Sequence, residues 1–254
     1  KRGSMSETKT KGVRVIDFHS HVLPELDDGA SSLAMSQEIM RQTRSQKVKK
    51  MVATPHFYPD KTSLESFLSK REVAARKILS VYDEDTCPTL YLGAEAAYYP
   101  GIGDSTLLDY LTIVGTNTLM IEMPFHKWEE SEVADIIRIS MNEGLNVILA
   151  HIERYLSWQE EGVIDRLRDA GVFIQSNAEF FISPSTRPKA LDMLRNNKIH
   201  ILGSDTHNTS SRPQMIGEAK TIIREQLGED TLIDMLYTSK KLLEGAVSID
   251  QMWV

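Results

Sequence analysis

The chain has 254 residues, of which 41% are hydrophobic, with a formal charge of −7 and a pI near 5.6. That length suits one α/β barrel, and an acidic balance without a basic stripe excludes a general nucleic-acid binder. The single cysteine, Cys87, leaves no internal disulfide. With no leading signal-type segment and no bilayer-length apolar run, a cytoplasmic setting without membrane insertion is expected.

Residues 1–4 precede Met5 and read as a cloning remnant; up to residue 12 the chain is expected to be a loose lead-in, and 13–254 is read as a single barrel domain. From there, short β-branched or apolar runs alternate with longer amphipathic stretches, the pattern of β–α units around a parallel sheet. The first strand is predicted over 13–18, followed by a helix over 32–46. Strand 50–54 leads to helix 64–79. After strand 89–94, residues 99–115 are the least regular and add a short helix and a loop. Strand 118–123 precedes helix 130–143, strand 146–150 precedes helix 163–170, and strand 172–176 precedes helix 187–196. The seventh strand is 200–203, and helices over 215–227 and 231–241 close the chain. Gly144 and Gly171 follow two of these helices, where a left-handed C-cap is wanted.

The chemistry collects at the C-terminal ends of the predicted strands. His19 and His21, then His56, Glu95, Glu122, His151, and Asp205 with His207 follow six of the seven, and the remaining strand ends near Asn177. In a parallel barrel these ends share one face, where barrel enzymes place their active sites. His19 and His21 alternate on a continuing strand, so both can reach one ion. Asp27-Asp28-Gly29 can fold a carboxylate back over the strand end, and Asp28 is the favoured ligand of the two. Taken singly, each residue has an ordinary explanation as a surface pair, a turn or a solvated charge. Jointly those explanations fail, because five of the seven histidines occupy such positions and only His126 and His200 fall elsewhere. Imidazole and carboxylate without thiolate suit Mn, Fe, Zn or Co. Four carboxylates against three dications leave +2, an attraction for phosphate in an acidic protein.

In order, Asp17-Phe18-His19-Ser20-His21, Leu26-Asp27-Asp28-Gly29, Thr54-Pro55-His56, Gly93-Ala94-Glu95, Ile121-Glu122, His151-Ile152-Glu153-Arg154-Tyr155, Ser204-Asp205-Thr206-His207 and Arg212-Pro213 resemble the motifs of a family. It is the bacterial PHP-type (polymerase and histidinol phosphatase) protein-tyrosine phosphatases of capsule and exopolysaccharide loci. The resemblance runs from about residue 14 to about 215. It implies a distorted, TIM-barrel-like (β/α)7 fold and three divalent ions, usually manganese. The implied reaction is hydrolysis of phosphotyrosine by a metal-activated hydroxide, on a phosphoprotein such as an autophosphorylated bacterial tyrosine kinase. Carried over, His19, His21, Glu95 and Asp205 hold one metal, Glu95 bridges to a second held by Glu122 and His151, and Asp28, His56 and His207 hold the third. Arg154 and Arg212 match the phosphate-binding arginines.

Asp17, Glu153 and Asn177 are candidates to orient the inner residues, and Phe125, Trp128, Tyr58 and Tyr98 either stack on a phenyl ring or cover the barrel rim. A cysteine phosphatase is disfavoured because the sequence after Cys87 offers no phosphate-cradling loop. A histidinol-phosphatase-like or other small-molecule phosphoesterase is the alternative, ahead of a metal amidohydrolase or a non-catalytic regulator of a kinase.

Overall fold

The structure is a computed structural model that describes residues 13–142 and 144–253, so the expected lead-in over 1–12 and Glu143 at the end of a predicted helix lie outside the described residues. Its strands are β1 (Lys50–Ala53), β2 (His56–Phe57), β3 (Thr89–Leu92), β4 (Glu95–Ala97), β5 (Thr118–Glu122), β6 (Asn146–Leu149), β7 (Phe173–Asn177) and β8 (Ile201–Gly203). All ladder pairings are parallel, in the orders β1-β3 and β2-β4-β5-β6-β7-β8.

β1 and β2 are one strand interrupted at Thr54-Pro55, and β3 and β4 are another interrupted at Gly93-Ala94. Their register does not slip across the break: Lys50 faces Thr89 and His56 faces Glu95. Proline has no N–H to give a ladder, yet Pro55 O still accepts from Glu95 N at 3.0 Å.

The predicted first strand over 13–18 is not a regular strand. Pairing instead centres on residues 17–21, as isolated bridges from Asp17 to Met51 and from Ser20 to Thr206. Asp17 N donates to Lys50 O and Phe18 N to Leu202 O; Asp205 N donates to His19 O and His21 N to Thr206 O. This segment therefore stands between β1 and β8 and closes the curled sheet, giving the seven-stranded distorted barrel that the sequence predicts.

The helices α1 (Leu33–Ser45), α2 (Leu64–Leu79), α3 (Leu108–Leu111), α4 (Glu130–Asn142), α5 (Glu161–Asp169), α6 (Ala178–Ile182), α7 (Arg187–Arg195), α8 (Ile216–Leu227) and α9 (Glu229–Leu242) lie close to the predicted bounds, except for the short α6. Ser32 and Ser63 cap α1 and α2 by accepting from Met35 N and Ser66 N. The irregular 99–115 stretch holds a short 3-10 turn (Ile102–Asp104) and α3. Helix-facing apolar residues of β5–β7, such as Leu119, Ile121, Val147, Leu149 and Ile174, are fully buried and form a core with the helices, while Phe18, Val52, Met120, Ile148 and Ile201 on the other face form a separate buried cluster. No helix among the described residues is long and apolar enough to cross a membrane.

Candidate metal centre

His19 and His21 leave the closing segment on the same side, and both are buried. Their approach depends on two glycines. A Cβ at Gly203 would lie 2.4 Å from His19 Cβ, and one at Gly29 would lie 2.2 Å from His21 O. Asp17 sits beneath them: it accepts from His19 N at 3.2 Å, Ser204 N at 2.9 Å and Gln214 Nε2 at 2.8 Å, and so pins the backbone of the seam rather than an imidazole.

The hydrogen bonds on the far side of each ring fix its tautomer. His19 Nδ1 lies 3.1 Å from Gln175 Oε1, and that oxygen's role as acceptor is set because it also takes the His151 N–H at 2.7 Å. Gln175 Nε2 donates to Asn177 Oδ1. His21 Nδ1 donates to Asp27 Oδ2 at 2.8 Å, and His207 Nδ1 to its neighbour's carbonyl, Asp205 O, at 2.8 Å. In their neutral form three rings thus carry their proton on Nδ1 and present an Nε2 lone pair.

These lone pairs meet other acceptors. His19 Nε2 and His21 Nε2 are 3.1 Å apart, each 3.1–3.2 Å from Glu95 Oε2 and 3.4–3.5 Å from Asp205 Oδ1. Among the described residues His207 Nε2 is buried without a hydrogen-bond partner, although Asp28 Oδ1 is 3.3 Å away. Acceptors gathered this closely repel unless positive charge stands among them, and the donor set fits a divalent cation of the Mn, Fe, Zn or Co kind.

Without an ion, protons supply part of that charge: burial lowers His21, yet its hydrogen bonds to Asp205, Asp27 and Glu95 outweigh it and raise the ring well above its usual range. Burial opposes ionisation of Glu95 and Asp205, but His19 and the neighbouring imidazoles hold both carboxyls well below their usual range. Burial lowers His151, yet Glu122 and Glu95 outweigh it and raise the ring to about 9. By contrast, burial and the charge of His21 push His207 down to about 4, which favours its neutral form.

All nine predicted ligand candidates converge. Ligand atoms of His19, His21 and Glu95 cluster within 4.8 Å of one another, as do those of His56, Glu95 and Glu122, and those of His21, Asp28, His56 and His207. His151 Nε2 completes the second region, 2.8 Å from Glu95 Oε1 and 3.4 Å from Glu122 Oε1. His56 touches two regions: Nδ1 is 3.2 Å from Glu95 and Nε2 is 3.5 Å from Asp28. The backbone at His151 (φ 28°) and Asp205 (φ 51°) is left-handed, conformational strain of the kind that collects at functional sites.

Arg154 and Arg212 both reach the cluster. Each gives one Nη2 to Asp205 Oδ2, at 2.5 and 2.7 Å, and the same oxygen takes Asn177 Nδ2 at 2.9 Å. Both guanidiniums stay more than a third exposed, with fork nitrogens to spare. Glu153 is half-buried, accepts from Asn177 N at 3.1 Å, and desolvation of its carboxyl raises it to about 7.

Among the aromatics, Phe125 is half exposed and stacks on His151, while Tyr58 stacks on His56. Trp128 is buried against Tyr155, and the Tyr98 hydroxyl donates to Asp135, so these two cover the rim. His126 pairs with Glu132 on the surface. Cys87 is buried in an apolar cluster with Ile78 and Leu90. Sequence reasoning passed over Gln175 and chose Asp28 rather than Asp27 as the ligand. The structure gives Asp27 the separate task of orienting His21.

A parallel barrel that gathers five imidazoles and four carboxylates at one end of its strands belongs to the class of α/β barrels with a candidate metal centre. Residues 15–244 match the family described as capsular polysaccharide synthesis, CpsB/CapC, and the chain belongs to that family. It is 27% identical over 230 residues to the tyrosine-protein phosphatase CpsB of Streptococcus pneumoniae, covering 84% of this chain and 91% of that protein. To the tyrosine-protein phosphatase YwqE of Bacillus subtilis it is 28% identical over 238 residues, covering 90% and 91%. Among solved structures, a chain from the work on YwqE of Bacillus subtilis and CpsB of Streptococcus pneumoniae, described as unique metal-dependent tyrosine phosphatases, matches with a TM-score of 0.77. It is 22% identical and covers 92% of this chain and 96% of that one. The lactonase Lmo2620 of Listeria monocytogenes shares the fold more distantly, with a TM-score of 0.52, 12% identity, and coverage of 94% and 93%.

Proposed function

We propose that the protein is a metal-dependent phosphomonoesterase that dephosphorylates phosphotyrosine in a protein, with an autophosphorylated bacterial tyrosine kinase of capsule synthesis as the expected substrate. The observation that carries this reading is the meeting of His19 and His21 Nε2 with Glu95 and Asp205 beneath two arginines whose forks remain partly open. The names and metal dependence given to the relatives support it.

Up to three divalent ions, manganese first, are assigned to three regions. His19, His21, Glu95 and Asp205 form one; Glu95, Glu122 and His151, with His56 beside them, form the second; Asp28, His56 and His207 form the third. Bound there, such ions supply Lewis acidity toward phosphoryl oxygens and an acidic water as nucleophile.

The chain's own residues do the rest. Arg154 and Arg212 offer planar forks to the phosphate oxygens, while Asp205 and Asn177 hold the forks in place. Gln175 and Asp27 keep two imidazoles in the tautomer that leaves Nε2 unprotonated. Exposed Phe125, stacked on His151, offers a face to a phenyl ring. A tyrosyl oxygen, with a pKa of about 10 as the free phenol, leaves with less proton assistance than an alkoxide would need, so no dedicated acid is required.

Initial rates on a phosphotyrosine peptide, histidinol phosphate and a cyclic amide, measured with manganese, test the reading. The peptide should give the highest kcat/KM; preference for histidinol phosphate or the amide would overturn it.

A further inference from the structure

A cavity of about 400 Å³ opens directly off Asp28 and His56, with Leu26 and Tyr58 in its lining and Lys61 and Lys70 beside them. Tyr58 stacks on His56 with ring centroids 5.0 Å apart, and its hydroxyl is 3.1 Å from His56 Nδ1. Lys61 Nζ stands 4.1 Å from the Tyr58 ring centroid. A turn keeps it there, since Lys61 N and Thr62 N both donate to Tyr58 O.

Both lysines are exposed, and among the described residues neither ammonium has a carboxylate partner. Several other cations are matched: Lys127 with Glu160 at 2.7 Å, Arg138 with Asp104 at 2.6 Å, Lys77 with Glu25 at 2.7 Å, and both site arginines with Asp205. Asp27 and Asp28 also line the cavity, but they face His21, His56 and His207. In a chain of charge −7, two unmatched ammoniums therefore border the candidate centre on one side.

We infer that this cavity is a subsite for a second anionic side chain of the substrate, a carboxylate or a phosphate, close in sequence to the phosphotyrosine, with Lys61 and Lys70 as its counter-charges. The inference rests on the phosphatase reading. An extended chain advances roughly 3.3–3.6 Å per residue, so a residue one to three positions away from a phosphotyrosine on the centre can reach the lysines. Exposed ion pairs are individually weak and depend on salt. Together the two should give about a five- to tenfold preference, expressed mainly in KM.

The test uses the manganese-loaded protein and three phosphotyrosine peptides that differ only in flanking residues: alanines, glutamates, or a second phosphotyrosine. Wild type should show a higher kcat/KM for one or both anionic peptides, and which one responds identifies the source of the anion. That ratio should approach one in a Lys61→Gln, Lys70→Gln double variant and in about 0.5 M salt, where the Debye length is only a few Å. Equal kcat/KM for all three peptides in wild type, or a ratio that survives the double substitution, overturns the subsite while leaving the phosphatase reading intact. Absence of turnover on every peptide removes the phosphatase reading, and the subsite falls with it.

Discussion

The choice of tautomer is made at His19 by a residue far away in sequence and at His21 by one in the following loop. Gln175 lies 156 positions from His19 yet takes its Nδ1 proton, and Asp27 does the same for His21. Arg154 and Arg212 differ in kind, since they touch the cluster only through Asp205 and keep nitrogens free. The two sets should fail differently. In Arg154→Ala, turnover on a phosphotyrosine peptide should fall roughly 10²-fold with bound metal retained, the scale for deleting a preorganised charge-stabilising donor, and Arg154→Lys should recover part of it. In Gln175→Leu, metal affinity should weaken by roughly 10–100-fold, as is usual when a residue behind a ligand is lost. Metal analysis beside kinetics separates the two, and normal turnover in Arg154→Ala would remove that residue from the site.

Eight of the nine ligand candidates were legible in the sequence because each follows a strand with its own apolar signature, and Asp28 was read from its Asp-Asp-Gly turn. Gln175 was not, since a buried amide inside a strand carries no local mark, and its role exists only once β7 lies beside the closing segment. The left-handed backbone at His151 and Asp205 was equally hidden, because neither residue type announces a positive φ.

Among the elements, the predicted helices were legible from periodicity and caps, whereas the first strand was misplaced. Val13, Val15 and Ile16 read as a strand, but pairing begins at Asp17 and runs through the histidines, where polar residues conceal it. The breaks at Thr54-Pro55 and Gly93-Ala94 divide two strands, yet the ladder resumes and places His56 opposite Glu95.

The junction of β7 and β8 has a pH dependence of its own. His200 Nδ1 accepts from Ile174 N at 2.9 Å, which requires a neutral ring. Burial and the charge of Arg168 lower its pKa to about 4, against 6.5 for an unperturbed histidine. A depressed histidine pKa means that this contribution is fully present above 6.5 and is lost as pH falls toward 4. Between pH 7 and 4.5 the loss should be about 2 kcal/mol. Urea unfolding of chelated protein should show His200→Gln losing less stability than wild type over that interval. Equal losses would mean the ring is not held neutral.

For the molecule as a whole, the seam matters most. By lying between β1 and β8, residues 17–21 bring the first ligands against the last, so that side chains from His19 to His207 share one site. We expect 13–254 to behave as one domain for the same reason, since the site cannot assemble from either half alone. Without cations, Asp28, Glu95, Glu122 and Asp205 crowd one end of the barrel, and ions bound only by the folded state stabilise it by linkage.

The central claim is that this cluster binds metal and hydrolyses phosphotyrosine with it. One preparation, stripped with a strong chelator and then returned to manganese, should be followed for metal content, melting temperature and phosphotyrosine-peptide turnover. Stripping should lower the melting temperature and abolish turnover, and manganese should restore both; a fully stripped protein that melts and turns over as before would contradict the account.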